Sequence, residues 1–273
     1  MILRAALCQT RTPATAAAGL AHVAPLVRQA AAHGARLILT PEGTNLLQKD
    51  RSLLAGELKA PQEDVCVQGL IALAAELKVW LVIGSALVRR ADGQAANRAF
   101  VISPQGVVTA IYDKLHMFDV NLPTGETARE SELYTPGDAA VTADAAGATL
   151  GLTICYDVRF PALHRALALA GAQILTVPAA FTRPTGAAHW EILLRARAIE
   201  TSSFVLAAAQ GGIHEDGRGT YGHTMAVAPW GEILGKLDND EPGVLTVDLD
   251  LDAVLQARSA IPALANARAF TAP

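Results

Sequence analysis

The stretch 149–157 reads TLGLTICYD. Its first six residues form an uncharged apolar run of strand length, the pattern of a strand buried on both faces. Cys155 closes that run, Tyr156 and Asp157 make a polar turn, and Pro161 opens a helical pattern over 161–170. A strand, a tight turn and a helix, with a reactive side chain at the strand's C-terminal end, is the arrangement of α/β sheets in which sites gather. A nucleophile on such a turn is exposed, and the backbone N–H that follows it can face an oxyanion. Free cysteines are also among the most buried residues, so this segment alone leaves Cys155 either a nucleophile or a core thiol.

The same rhythm extends outward in both directions. Downstream, 174–177 reads as a strand and 187–201 as a helix carrying Arg195, Arg197 and Glu200. A strand over 204–209 follows, then a hairpin of 225–228 and 232–237 around Pro229, Trp230 and Gly231, and a closing strand over 244–249. Upstream, the reading is strand 2–8, helix 16–33 stopped by Gly34, strand 35–40 ending at Pro41, helix 64–77 and strand 80–88. Strands 98–103 and 107–112 then flank Pro104, Gln105 and Gly106, another hairpin signal. Residues 114–138 are polar, contain Gly and Pro and lack periodicity; a loop of that length in a compact domain is usually functional or mobile. Each half alternates strands with helices and closes with a hairpin. This points to an α/β fold of two packed mixed sheets with helices outside, a four-layer sandwich. No stretch reads as a linker, so residues 1–273 are expected to form a single domain.

Composition excludes several classes of function. Hydrophobic residues make up 51% of the 273 and charged ones 18%, enough apolar material for a sizeable core and too much for disorder. The net charge is -4 with no basic run, which argues against a nucleic-acid partner. No signal peptide is expected at the start of the chain. The longest uncharged stretch, 166–182, holds Gly171, Gln173, Thr176 and Pro178 and reads as a helix end, a turn and a buried strand, not as a membrane span. Cys8, Cys66 and Cys155 are too few and too scattered for a disulfide framework or a zinc site, which fits a reducing cytoplasm. Cys8, in the first strand, and Cys66, in a helix, read as core thiols.

A cysteine nucleophile needs a base or a cation beside it. None of the seven histidines stands in an arrangement that marks a Cys–His pair. Glu42, directly after Pro41, and Lys114, leaving the hairpin after Tyr112 and Asp113, lie like Cys155 at strand ends. Either charge alone reads as solvated. Together with Cys155 they are more suggestive, since a lysine favours thiolate and oxyanion and a glutamate can relay the thiol proton to a leaving amine.

These residues carry a family resemblance that covers nearly the whole chain. Leu39-Thr40-Pro41-Glu42, Tyr112-Asp113-Lys114-Leu115-His116 and Ile154-Cys155-Tyr156-Asp157-Val158-Arg159-Phe160-Pro161 resemble the three local patterns of the nitrilase superfamily of carbon–nitrogen hydrolases. Ala188-His189-Trp190-Glu191, Arg195 to Glu200, Tyr221-Gly222-His223 and Pro229-Trp230-Gly231-Glu232 follow in the same order. The resemblance implies an αββα sandwich pairing into an eight-layer homodimer or a higher homo-oligomer. It implies Glu42 as general base, Lys114 as electrophilic stabiliser and Cys155 as nucleophile. It further implies Glu130 as the carboxylate that holds Lys114, with Glu132 the competing candidate. The backbone N–H of Tyr156 is the implied second oxyanion donor, and no metal or organic cofactor is implied.

Within the superfamily the chain is most similar to the deaminated glutathione amidase branch, on His116-Met117-Phe118-Asp119-Val120 and Tyr221-Gly222-His223-Thr224-Met225. The implied activity is hydrolysis of a small carboxylate-bearing amide through a Cys155 thioester, with release of ammonia. An omega-amidase acting on 2-oxoglutaramate, a nitrilase, an N-carbamoyl amino acid hydrolase and an idle binding protein of the same fold are the alternatives. Nitrilases of the superfamily usually carry Trp-Glu after the cysteine, where this chain has Tyr156-Asp157. Gly43 and Thr44 depart from the pattern, which has a larger residue after the glutamate. Arg183 and Arg159 are the candidate anchors for a substrate carboxylate, through the planar guanidinium fork; a solvated loop arginine and a structural arginine are the competing readings. Trp190 and Trp230 read as packing residues, and His189 and His223 as structural hydrogen-bonders.

Overall fold

The computed structural model describes residues 1–122, 125 and 127–271. In chain order the first half contributes β1 (Ile2–Gln9), α1 (Ala16–Ala32), β2 (Leu37–Leu39), α2 (Arg51–Glu57), α3 (Val65–Leu77), β3 (Trp80–Arg89), β4 (Ala95–Ile102) and β5 (Val108–Asp113). Two short strands, β6 (Asp119–Asn121) and β7 (Thr127–Arg129), lead into a 3-10 turn (Glu130–Glu132). The second half holds β8 (Thr142–Ala145), β9 (Ala148–Leu152), a 3-10 helix (Cys155–Arg159), α4 (Pro161–Leu169), β10 (Ile174–Thr176) and α5 (Arg183–Thr201). After it come β11 (Phe204–Ala207), β12 (Gly211–Ile213), β13 (Gly219–Tyr221), β14 (Met225–Val227), β15 (Ile233–Lys236), β16 (Gly243–Asp250) and α6 (Asp252–Ala260).

Two six-stranded mixed sheets result, in the orders β16-β1-β2-β3-β4-β5 and β15-β14-β11-β10-β9-β8. Three parallel strands form the middle of each: β1, β2 and β3 in one, β9, β10 and β11 in the other. The outer strands add antiparallel. β16 returns from the second half to pair with β1 from Ile2 opposite Asp250 to Gln9 opposite Gly243.

Side-chain alternation along the strands assigns the layers. Leu3, Ala5 and Leu7 of β1 and Leu37 and Leu39 of β2 share one core with Leu150, Leu152, Leu175 and Val205 of the second sheet. The alternate residues Ala6, Cys8, Ile38, Leu81 and Ile83 pack on Val23 and Val27 of α1 and Val67 and Leu70 of α3. Leu163 and Leu167 of α4 and Leu194 and Ala198 of α5 belong to the core of the second sheet. The layers are therefore helix, sheet, sheet, helix, as the order of elements implied.

Several elements differ from the sequence reading. α5 begins at Arg183, one turn earlier than expected, with Pro184 accepted in its first turn, where its missing N–H costs nothing. β9 ends at Leu152, so Cys155 lies not in the strand but at the start of the 3-10 helix. The stretch 114–138 holds a small hairpin and a turn; its residues 123, 124 and 126 lie outside the described residues. α2, β8, β12, β13 and α6 were not foreseen: all are short, and α2 has only one buried residue, Leu54, to print a period on the sequence. Among the described residues no helix is long and apolar enough to cross a membrane. The uncharged run 166–182 divides into the end of α4, a turn at Gly171 and β10.

The two sheets meet closely beneath the site. A Cβ at Gly84 of β3 would stand 1.9 Å from the Thr40 carbonyl oxygen and 2.4 Å from Pro178 Cβ. Only glycine permits that approach, which brings the chain ahead of Glu42 against the segment after β10. The β3–β4 register slips between Ile83 and Ala86 at the same point.

Candidate active site

Glu42, Lys114, Glu130 and Cys155 come from four separate segments and line one cavity of about 600 Å³. Glu42 stands just after β2. Its loop is pinned by Asn45, whose Nδ2 donates to Asp64 Oδ2 (2.8 Å) and the Leu87 carbonyl (2.9 Å). Asp64 also caps α3 by accepting from the N–H groups of Cys66 and Val67, so the helix start and the Glu42 loop are fixed by one carboxylate. Lys114 follows β5, its N–H donating to the Asn97 carbonyl (3.0 Å). Glu130 opens the 3-10 turn and accepts from the Phe118 N–H at Oε2 (2.7 Å).

Cys155 occupies the left-handed region, with φ +49. That conformation costs a non-glycine residue about 1–3 kcal/mol and persists only where neighbours enforce it. Two sets of contacts do so here. The Cys155 N–H donates to the Pro178 carbonyl (2.8 Å). Asp157, fully buried, accepts from the Ile154 N–H (2.8 Å), the Tyr112 hydroxyl (2.6 Å) and the His116 N–H (3.1 Å), with His116 Nδ1 at 2.7 Å. His116 stacks on Phe160, ring centroids 3.5 Å apart. The Lys114 loop and the Cys155 turn are thus bound to the same carboxylate. Tyr156 lies in the first turn of the 3-10 helix, where backbone donors have no partner within the helix.

Lys114 Nζ donates to Glu42 Oε1 (2.9 Å) and to Glu130 Oε1 (2.9 Å) and Oε2 (2.7 Å). Asn97 Nδ2 bridges the same carboxylates, 2.8 Å from Glu42 Oε1 and 3.2 Å from Glu130 Oε1. The Ala180 N–H donates to Glu42 Oε2 (2.9 Å). Burial opposes the charge of each group, and the cluster reverses that for two of them. Burial pushes the Glu42 carboxyl up, but Lys114 and the hydrogen bonds outweigh it and hold Glu42 below its ordinary value. Burial pushes Lys114 down, and the carboxylates of Glu130 and Glu42 outweigh it and raise it well above its ordinary value. Cys155 is pushed well up, first by burial and then by the charge of Glu42, with Lys114 only partly opposing. The resting arrangement is an ionised glutamate, an ammonium and a neutral thiol.

The other candidate residues are placed differently. Tyr156 lines the cavity with its ring edge-on to Phe118 and Phe160. Glu132 is at the surface, paired with Arg51, so Glu130 is the carboxylate that reaches Lys114. Arg159 does not line the cavity; it lies over the Phe181 ring, with Nη2 3.2 Å from His189 Nδ1. Arg183 also lies outside the cavity wall, paired with Asp240. Asn97, Tyr134 and Arg218 line the cavity and were not singled out from sequence. The signal for Asn97 was a polar residue at the edge of an apolar strand, and the strand reading started one residue after it. Among the described residues, no group of three or more His, Cys, Asp or Glu side chains is arranged to hold a metal ion.

Residues 4–259 match the family model described as Carbon-nitrogen hydrolase. The chain is 40% identical to the deaminated glutathione amidase of Yersinia enterocolitica over 238 residues, 86% of this chain and 82% of that one. It is 37% identical to the Homo sapiens protein of the same name, over 96% of this chain and 81% of that one. Among solved structures, the Caenorhabditis elegans NitFhit protein superposes with a TM-score of 0.89 at 31% identity, covering 98% of this chain and 65% of that longer one. An amidase from Nesterenkonia sp. carrying an acrylamide adduct on its active-site cysteine superposes with a TM-score of 0.79 at 30% identity, covering 95% and 98%. The chain belongs to the carbon–nitrogen hydrolase family of the nitrilase superfamily and is a hydrolase of non-peptide carbon–nitrogen bonds.

Proposed function

We propose that the protein is an amidase that hydrolyses a small carboxylate-bearing amide of the deaminated glutathione type through a Cys155 thioester. The observation that carries this reading is the buried set of Glu42, Lys114 and Glu130 on the same cavity as Cys155. The relatives named deaminated glutathione amidase support the substrate class.

In the first stage the Cys155 sulfur attacks the amide carbon and its proton passes to Glu42, the ionised carboxylate beside it. Protonation removes the charge that bound Lys114 to Glu42. One ammonium N–H is then released toward the developing oxyanion, which the Tyr156 N–H also faces. The C–N bond breaks, the nitrogen takes the proton from Glu42 and leaves as an amine (cysteinylglycine from deaminated glutathione, ammonia from a primary amide), and the acyl group remains on sulfur. In the second stage Glu42 accepts a proton from water, the hydroxide oxygen attacks the thioester, and the C–S bond breaks. The acid departs, and the proton on Glu42 returns to sulfur. Glu130 keeps Lys114 charged and in place throughout. The reading treats the chain as one catalytic domain and extends to a homodimer in a reducing cytoplasm. The three free thiols support the compartment, and sedimentation tests the dimer.

The test is release of cysteinylglycine from deaminated glutathione, and of ammonia from 2-oxoglutaramate, aliphatic amides, N-carbamoyl amino acids and nitriles, with the wild type and Cys155→Ala. Release from deaminated glutathione that vanishes in the variant is the expected result. Release from another compound alone keeps the chemistry and discards the substrate. Silence on all of them, with Cys155 unreactive, overturns the reading.

A further inference from the structure

The charges on the cavity wall do not balance. The two carboxylates, Glu42 and Glu130, are both bound to Lys114, while Lys49, Arg51, Arg129 and Arg218 line the same space. Arg51 is paired with Glu132, and Arg129 is occupied by the carbonyls of Val120 and Ala128 and by Asn121.

Arg218 is anchored from one side by an ion pair with Asp216. It sits between β12 and β13, in a turn fixed by its own N–H donating to Asp216 Oδ1 (2.8 Å). Its guanidinium forms this pair with the buried Asp216 carboxylate, Nη2 standing 3.5 Å from Oδ2, and none of its side-chain donors makes a hydrogen bond among the described residues. The side chain is only 35% exposed. A partly buried guanidinium held by one buried carboxylate and making no hydrogen bond keeps its fork for an acceptor from outside, and a planar carboxylate matches it in shape and charge.

Tyr134 lines the same cavity as Arg218 and the catalytic cluster. It is 7% exposed and lines the cavity, and its hydroxyl has no hydrogen-bond partner among the described residues, yet is not sealed from solvent. Burial pushes that hydroxyl up, and the charge of Glu130 adds to it, while Arg218 pulls the other way. Lys49 Nζ adjoins the same turn, 3.6 Å from the position of a Cβ on Gly217.

The geometry points to Arg218 and Tyr134, with Lys49 at the mouth, as the subsite for a carboxylate on the acyl chain of the substrate. Arg218 takes the carboxylate by its fork and the Tyr134 hydroxyl donates to it. The inference rests on the amidase reading for its chemistry, but the anion-binding step does not need turnover.

Two probes of equal length test it: glutaramate, which carries the carboxylate, and the neutral diamide glutaramide. Loss of a charge-assisted contact predicts that Arg218→Ala raises KM for glutaramate at least about 30-fold more than for glutaramide, with the change in KM and not in kcat. Arg218→Lys recovers part of the loss, and Tyr134→Phe shows a selective loss of about fivefold to tenfold. Equal effects on both probes, or none, overturn the subsite. If the wild type releases ammonia from neither probe, calorimetric binding of glutarate decides. Binding by the wild type that weakens by the same factor in Arg218→Ala supports the subsite even though the amidase reading has failed. Absent or unchanged binding overturns it.

Discussion

Lys114 Nζ lies 2.9 Å from Glu42 Oε1, with the two side chains 2% and 8% exposed. Two opposite charges brought so far from water are stable only because each is compensated more than once. Lys114 has Glu130 as a second carboxylate, and Glu42 has Asn97 and the Ala180 N–H as further donors. The pair keeps Glu42 ionised, as the proposed base must be, while burial and the charge of Glu42 keep Cys155 a thiol.

This pair predicts a divided outcome for its two halves. Glu42→Gln leaves Glu130 to balance Lys114, so the variant folds with near-normal stability and loses about 10²- to 10⁴-fold in kcat with its base. Lys114→Met strands two buried carboxylates and destabilises by about 3–5 kcal/mol. Urea unfolding of both variants is the check; equal stability loss would show that the cluster is not organised around Lys114.

Asn97 predicts a change of pH profile. Its Nδ2 donates to both carboxylates, and its own Oδ1 is buried without a partner. Asn97→Asp removes a donor from Glu42 and adds negative charge beside it, and both effects raise the Glu42 pKa. Glu42 acts when ionised, so the acid limb of kcat/KM moves to higher pH, by on the order of one unit. A limb that stays in place would remove Asn97 from the positioning of Glu42.

Gly84 predicts a link between packing and activity. Gly84→Ala places a methyl group 1.9 Å from the Thr40 carbonyl oxygen, and neither sheet can yield cheaply. Overpacking of this kind costs about 1–3 kcal/mol. The displaced chain leads directly to Glu42, so kcat falls together with the thermal midpoint. Full activity in a variant of normal stability would refute the close approach.

His164 predicts acid lability unrelated to catalysis. It is fully buried; its Nδ1 donates to the Phe160 carbonyl (3.1 Å) and its Nε2 has no partner. Burial pushes its pKa down to about 4. Between the ordinary value near 6.5 and about 4 the unfolded chain binds a proton that the folded chain refuses. Its contribution is therefore whole above pH 6.5 and declines as pH falls, by about 3 kcal/mol in total. In His164→Leu, stability measured by urea unfolding falls less steeply across that window; an identical slope would place the lability elsewhere.

The sequence by itself determined the layers and the chemistry-bearing residues. The apolar runs of β1, β2, β3, β9 and β10 and the Gly34 stop after α1 are local signals, because strands buried on both faces and helix ends are written in adjacent residues. Glu42, Lys114 and Cys155 were legible as residues of reactive type at strand ends. Only the tertiary structure decided how they combine. The resemblance already ranked Glu130 above Glu132, and the 3-10 turn shows why: one carboxylate reaches Lys114 and the other pairs with Arg51. The tertiary structure brought in Asn97 and the Ala180 N–H, the latter a backbone donor that no side-chain pattern can announce. It left Arg159 and Arg183 off the cavity wall and put Arg218 on it. Which arginine faces a cavity depends on contacts between segments far apart in the chain, and those contacts leave no periodic mark on the residues that make them.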